Sequence, residues 1–497
     1  MAVLLAACGK LTVAFLATFG AHLLGKCYST PLDDYVNKAD PNYKYEVLDW
    51  KYRGDGFTLY LINMTSQQWL TENEVNHPIW WHFMTVAIPD ELTHPEAGLL
   101  YISYGSNGGN YTPDIGDEFI SFISLMAVST GAVAANLRQV PNQPVVFKND
   151  PSQKSRSEDA VIAWTWRTFV EEFPNKPEWL LRLPMTKAAV RAMDTITNFT
   201  KKLRPESNVQ KYFVCGESKR GWTTWTTAAV DKRVVGIAPM VMDLLNIVKN
   251  LHHHYRSLGG WTFAFGDYYS LNFTAQLDNP FVKKMANIVD PFAYKDRLTM
   301  PKYIITTSGD EFFIDDDSYY YFDQMIGDKY LRVIPNAEHS LTYHRVPLFF
   351  GVRAFFLSII EDFPRPQFYW TRNTTDTGGS ITLYTKTKPS TVHVYHATTL
   401  DGIRRDFRLA IGDPNSKGGY IIHPVLWAKA EASNPEPGVY VASFDNPLDG
   451  WTGFYIQVTY PGPRNNSDFE FTSEVQIIPN TLPFPDCHGE SCLGKLV

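Results

Sequence analysis

The chain has 497 residues, 44% hydrophobic and 20% charged, ordinary for a soluble globular protein and long enough to bury at least one large core. Its formal net charge of −7 and lack of a long basic run argue against nucleic acid as a partner. Aromatic residues reach 14%, which reads as a large aromatic core with β-rich segments, carbohydrate or peptide binding being the weaker explanation.

The N-terminus, MAVLLAACGKLTVAFLATFGAHLLGKC, carries an apolar stretch from Leu11 to Leu24 between Lys10 and Gly25-Lys26. That length suits a secretory signal better than a bilayer span, so residues 1–26 are expected to be a cleaved signal peptide. The mature protein is then expected to be secreted, with no stable membrane insertion. Asn-x-Ser/Thr sequons at Asn63, Asn110, Asn198, Asn272, Asn373 and Asn465 fit export. Cys8 would leave with the signal, and Cys27 has no evident partner. Cys487 and Cys492, in CHGESC, are spaced to close a small disulfide loop. Cys215 sits in an apolar run and reads as a small buried side chain.

From about residue 45 to 105 the pattern is strand-like, with FTLYLINMTSQQWL and IWWHFMTVAIP rich in aromatic and β-branched residues. AGLLYISYGSNGG predicts a buried strand from Leu99 to Tyr104, ending in a Gly/Ser/Asn loop. SRSEDAVIAWTWRTFVEEF predicts a helix with Ser157 as N-cap and an acidic first turn. TKAAVRAMDTITNFTKKL predicts a second, amphipathic helix. VQKYFVC, VVGIAPMVM and PKYIITTS are short apolar runs of the kind found in interior parallel strands. Strands alternating with helices imply a doubly wound α/β domain over residues 27–366, closing with the helical FFGVRAFFLSII. Beyond Pro366 the texture turns to strands and turns, and residues 367–480 are expected to form a separate β-sandwich, followed by a tail over 481–497.

One short stretch, VCGESKRGWTTW, places Ser218 between a strand and a helix. A nucleophile elbow needs such a sharp turn, with small residues flanking the serine so that strand and helix do not collide. The pattern is G-x-S-x-x-G, with Arg220 where a second glycine usually stands. A serine nucleophile needs an imidazole to take its proton and a carboxylate to orient the imidazole. In the order Ser, acid, His, later strands supply Asp310, directly after PKYIITTSG, and His339, in a loop after LRVIP. Glu311 and Asp243 are alternative acids; Asp310 is preferred for its place in the turn just beyond its strand. Oxyanion donors are expected from the Lys219 backbone and from the loop of Gly105, Ser106 and Asn107.

GESKRGWTTWTTAAVDKRV, MPKYIITTSGDEFF, KYLRVIPNAEHSL and SEDAVIAWTW resemble the PhoPQ-activated pathogenicity-related family, which also includes secreted autocrine proliferation repressor proteins. The resemblance runs from about residue 40 to about 475. It implies an α/β-hydrolase-like fold whose serine, aspartate and histidine fall on Ser218, Asp310 and His339. Many members have a small residue before the serine, where this chain has Glu217.

Other motifs have plainer readings. His252, His253 and His254 diverge on a helix and make a poor metal site. Glu158 and Asp159 could bind a substrate amine, or act as helix N-terminal carboxylates. The aromatic region from Tyr255 to Asp290 is placed to cap a pocket. The leading expectation is serine-based acyl transfer on a small-molecule ester or peptide bond, needing neither cofactor nor metal. The alternative is a secreted signal acting through a cell-surface receptor.

Overall fold

The computed structural model describes residues 29–109, 111–416 and 418–497. The expected signal peptide, Cys8, Cys27 and the Asn110 sequon lie outside them. A short helix, α1 (Pro31–Asn37), leads into three long antiparallel strands, β1 (Lys44–Gly54), β2 (Phe57–Gln68) and β3 (Ile79–Pro89). Six further strands are parallel: β4 (Ala97–Ile102), β5 (Val133–Leu137), β6 (Lys211–Glu217), β7 (Val234–Met240), β8 (Lys302–Thr307) and β9 (Lys329–Ile334). The sheet order is β1-β2-β3-β5-β4-β6-β7-β8-β9.

Strands that are apolar on both sides must lie between two layers, and successive side chains divide accordingly. Leu100, Ile102, Val214 and Ile304 enter one core, while Leu99, Tyr101, Phe213, Cys215 and Ile305 enter the other. The first core is closed by α3 (Asp159–Glu171), α4 (Arg182–Leu203), α5 (Lys219–Val230), α6 (Ile247–Leu258) and α8 (Pro280–Val289), with the small helix α7 (Gly266–Ser270) beside them. The second is closed by α2 (Glu118–Thr130) and α9 (Arg345–Ile360). The result is the expected α/β-hydrolase-like, doubly wound architecture. The segment Thr342–Ile360 is long and apolar enough to span a bilayer by length and composition alone, but it is half buried, with Phe355 and Phe356 against the sheet.

Sequence pattern did not predict α1, α2, α7, α8 or β5. Asp117 caps α2 by accepting from the Phe119 and Ile120 amides, and Gly131 ends it in the left-handed conformation. The Ser157 cap is corrected: Glu158 occupies that position, and Ser157 contributes only a backbone carbonyl to Ala160.

The C-terminal region is two-layered, but one layer is not separate from the α/β sheet. Strand Phe469–Thr472 pairs with β9 at Thr472 and Leu331, and Thr452–Tyr460 and Thr391–Thr398 continue the same sheet. The second layer, built on Gly378–Thr385 and Val439–Asp445, sets Ile381, Leu383 and Ala442 into one core with Phe454, Ile456 and Val458. Across the seam, Tyr330 of β9 stacks on Phe471 at 4.4 Å. Residues 481–497 return to the pocket side, where Cys487 and Cys492 form a disulfide and the Trp261 indole donates to the Cys492 carbonyl. Deleting residues 367–497 should therefore expose the β9 edge and its aromatic seam. The remaining fragment is expected to aggregate or bind ANS, whereas a soluble fragment with a sharp thermal transition would show that the shared sheet is dispensable.

Candidate active site

Ser218 stands between β6 and α5 at φ 55° and ψ −127°, a conformation that costs a non-glycine residue roughly 1–3 kcal/mol. Its amide donates to the Met240 carbonyl of β7 at 2.8 Å, which holds the turn in place. A Cβ on Gly216 would lie 2.9 Å from the Arg220 carbonyl oxygen. One on Gly221 would lie 2.9 Å from the Met240 oxygen and 3.1 Å from the Gly216 oxygen. Both glycines are therefore required by close backbone approach, and the G-x-S-x-x-G spacing follows from where helix and strand touch. Arg220 is tolerated at the intervening position because its side chain leaves the contact, donating to the Val140 carbonyl at 2.6 Å and in two bonds to Glu158.

Three distant side chains meet here. The Ser218 hydroxyl lies 2.9 Å from His339 Nε2, and His339 Nδ1 lies 2.9 Å from each carboxylate oxygen of Asp310. Asp310 is 1% exposed and is oriented by the Phe312 amide, which donates to Oδ1 at 2.8 Å. The imidazole packs against Phe312, with ring centres 4.4 Å apart. Burial lowers the proton affinity of the His339 ring, but the charge and hydrogen bond of Asp310 outweigh it and hold the pKa above the usual imidazole value, against a lowering effect of Lys219. The other two acids have different places. Glu311 accepts from the His339 backbone amide at 2.9 Å, and Asp243 hydrogen-bonds the Tyr321 hydroxyl. Burial raises Asp243 well above the carboxylate range.

The open cleft at Ser218 is lined by Ser103, Tyr104, Lys219, Phe312, His339 and Arg345, among others. The amides of Lys219, in the first turn of α5, and of Tyr104, just past β4, make no backbone hydrogen bond among the described residues. The loop donors expected from Gly105, Ser106 and Asn107 lie elsewhere. Gly105 abuts Gln139, its carbonyl accepts from Gln143, and the Asn107 amide donates to the Gln143 carbonyl. These residues tie the loop to the 139–143 segment, and Tyr104 is the loop residue at the cleft. Its position directly beyond a buried strand, one residue before the glycine, was the available signal.

Charge around the elbow is organised by Lys219. Its side chain neither enters solvent nor faces the serine's oxygen; it is buried, with Nζ 3.0 Å from both Glu158 and Asp159. The acidic pair that could have held a substrate amine is thus filled by the chain's own ammonium. Burial alone would raise Glu158, but Arg220 and Lys219 hold it well below the usual carboxylate range. Asp159 also accepts from the Tyr268 hydroxyl at 3.0 Å. Glu217 also lines the cleft, where its carboxylate is taken up by Arg345 and the Tyr101 hydroxyl.

Beside Ser218 lies a second, smaller and more apolar cavity of about 50 Å³, walled by Trp222, Trp261, Phe265, Tyr268, Phe273 and Phe313, with Asp159, Arg182 and Lys219 at its polar end. Several of these walls belong to the Tyr255–Asp290 region expected to cap a pocket. The three histidines of α6 diverge as expected: His252 meets Asp486, His253 meets Asp316, and His254 accepts from the Thr262 amide. Of the sequons, Asn198, Asn272, Asn373 and Asn465 are exposed, and Asn63 is half-buried within β2. Cys215 is buried in β6.

Residues 32–408 match the model for the PhoPQ-activated pathogenicity-related protein family. The chain belongs to that family. It is 37% identical over 483 residues, covering 95% of each chain, to autocrine proliferation repressor protein A of Dictyostelium discoideum. Among solved structures, it is similar to an acetyl xylan esterase from Paenibacillus sp. R4, with TM-score 0.45, 14% identity, and 65% of this chain and 92% of that chain covered. It is also similar to acetyl xylan esterase 1 from Thermoanaerobacterium sp. JW/SL YS485, with TM-score 0.44, 14% identity and coverage of 66% and 93%.

The elbow geometry makes a direct prediction about this family member. Gly216→Ala should lower stability by about 1–3 kcal/mol, because the added methyl meets helix backbone rather than a flexible side chain. Urea unfolding checks this, and an unchanged midpoint would mean that the strand and helix are not pinned as described.

Proposed function

We propose that this protein is a secreted serine hydrolase that cleaves an ester or peptide bond of a small substrate. The observation supporting it is the unbroken hydrogen-bonded chain Ser218–His339–Asp310, with 2.9 Å at each link. Ser218 Oγ attacks the carbonyl carbon as His339 Nε2 takes its proton, and Asp310 keeps Nδ1–H directed toward itself. The oxyanion forms beside the N-terminus of α5, with the Lys219 and Tyr104 amides as donors. Collapse of the tetrahedral species breaks the bond to the leaving alcohol or amine, which receives the proton from His339. Water then repeats the sequence on the acyl-enzyme and frees Ser218.

A second reading is favoured by the relative's name. A family member related over 95% of both chains is called an autocrine proliferation repressor, so this chain could act on a cell-surface receptor with little or no hydrolysis. A fluorophosphonate probe separates the two readings. Wild-type protein should label, and Ser218→Ala should neither label nor turn over a short ester, losing at least about 10³-fold in rate. Labelling that survives the substitution, or its absence in folded wild type, would leave the receptor reading.

The pH profile follows from the raised pKa of His339. The imidazole must be neutral to accept the serine proton, so kcat/KM should fall as pH drops through a value above about 6.5. An acid limb below that value would be inconsistent with the Asp310 pairing. Secretion is tested separately: protein recovered from culture medium should begin near Lys26, and intact Met1 on secreted protein would remove the cleaved-signal proposal.

A further inference from the structure

The cavity and the cleft both reach Ser218. The leaving group must reach His339 Nε2 to be protonated, and His339 lines the cleft but not the apolar cavity. The acyl part, which stays bonded to Ser218, has the apolar cavity on the side away from His339. At about 50 Å³, and continuous with the space at Ser218, that cavity favours a short chain.

Its polar end is lined by Arg182, Lys219 and Asp159, and behind them Arg220 and Glu158 complete a group of three cations and two carboxylates. Lys219 bridges both carboxylates and Arg220 pairs with Glu158, which leaves Arg182 over. Arg182 is 2% exposed and has no carboxylate within ion-pair distance among the described residues. Nη1 donates to the Lys219 carbonyl at 3.0 Å and approaches Met185 Sδ at 3.8 Å, while the buried Nε has no partner. The guanidinium lies over the Trp222 ring, 4.1 Å from its centre, which fixes its plane. A buried guanidinium without a counter-ion is costly, and its planar fork matches the paired oxygens of a small oxyanion, of which a carboxylate is the least bulky.

We infer that the apolar cavity is an acyl-side subsite for a short acyl group ending in a carboxylate, with Arg182 as the anchor for that carboxylate. The aromatic walls take the methylenes, and the substrate class is a half-ester or half-amide of a small dicarboxylic acid. This deepens the hydrolase reading and rests on it for the placement of the acyl group, but anion binding can be measured without turnover.

The test uses the full mature chain carrying Ser218→Ala, titrated calorimetrically with succinate and with uncharged butyramide. Succinate should bind one per chain and more tightly than butyramide, Arg182→Met should weaken it about 10- to 100-fold, and Arg182→Lys should restore part of the loss. In chains retaining Ser218, kcat/KM for monomethyl succinate over methyl butyrate should fall by a similar factor in Arg182→Met. Equal binding of succinate and butyramide, or binding indifferent to both Arg182 variants, overturns the proposal. Should Arg182→Met not fold, the ligand comparison and Arg182→Lys decide. Succinate bound through Arg182 with no ester cleaved by wild type would sink the hydrolase reading alone; esters cleaved with no succinate bound would sink this one alone.

Discussion

The site depends on one backbone constraint, the turn at Ser218 with φ 55°. A residue in that region does not stay there unaided, and three contacts hold it: the bond to Met240 and the two glycine approaches on either side. Parallel pairing of β6 with β7 supplies the Met240 carbonyl, and the helix supplies the opposing backbone. The hydroxyl is thereby raised above the strand ends, where the loops after β8 and β9 bring Asp310 and His339 to it. Registering three parallel strands is what makes a hydrogen-bonded chain out of residues 29 and 121 positions apart.

A second feature reinforces the first. Glu158, at the start of α3, has φ 53° and ψ −125°, nearly the conformation of Ser218. The two strained residues face each other across a set of ion pairs in which Lys219 and Arg220, both following the serine, grip Glu158 and Asp159. The N-termini of α3 and α5 are therefore clamped together by charge as well as by packing of Trp166 on Trp222. Removing one partner would leave a buried charge uncompensated, so the clamp resists loosening of the elbow more than surface pairs of the same number would.

Much of this was legible in the residues. Short apolar runs marked β6, β7, β8 and β9 because strands buried on both sides cannot afford polar alternation, and the order Ser, acid, His singled out Ser218, Asp310 and His339. What local pattern could not show is where long side chains end. Lys219 entered only as a backbone donor and Glu158 as a helix-terminal carboxylate, yet their side chains find each other across 61 positions of chain. The same limit explains the oxyanion loop, where the glycines suggested donors but tertiary contacts with Gln139 and Gln143 set Tyr104 at the cleft. It also explains the C-terminal strands, whose edge pairing with β9 rests on a single register that no composition shift at Pro366 reveals.

Energetics weigh between the two functional readings. A folded ligand for a receptor has no use for a serine at positive φ, where glycine would relieve the strain and stabilise the fold. Nor would it need Arg182 buried without a counter-ion beside a cavity, since an apolar side chain of similar volume would be neutral or better there. Both costs lie within reach of one hydroxyl, where the proposed hydrolysis would make use of them. Receptor binding could still use the exposed surface, but it would not account for the interior.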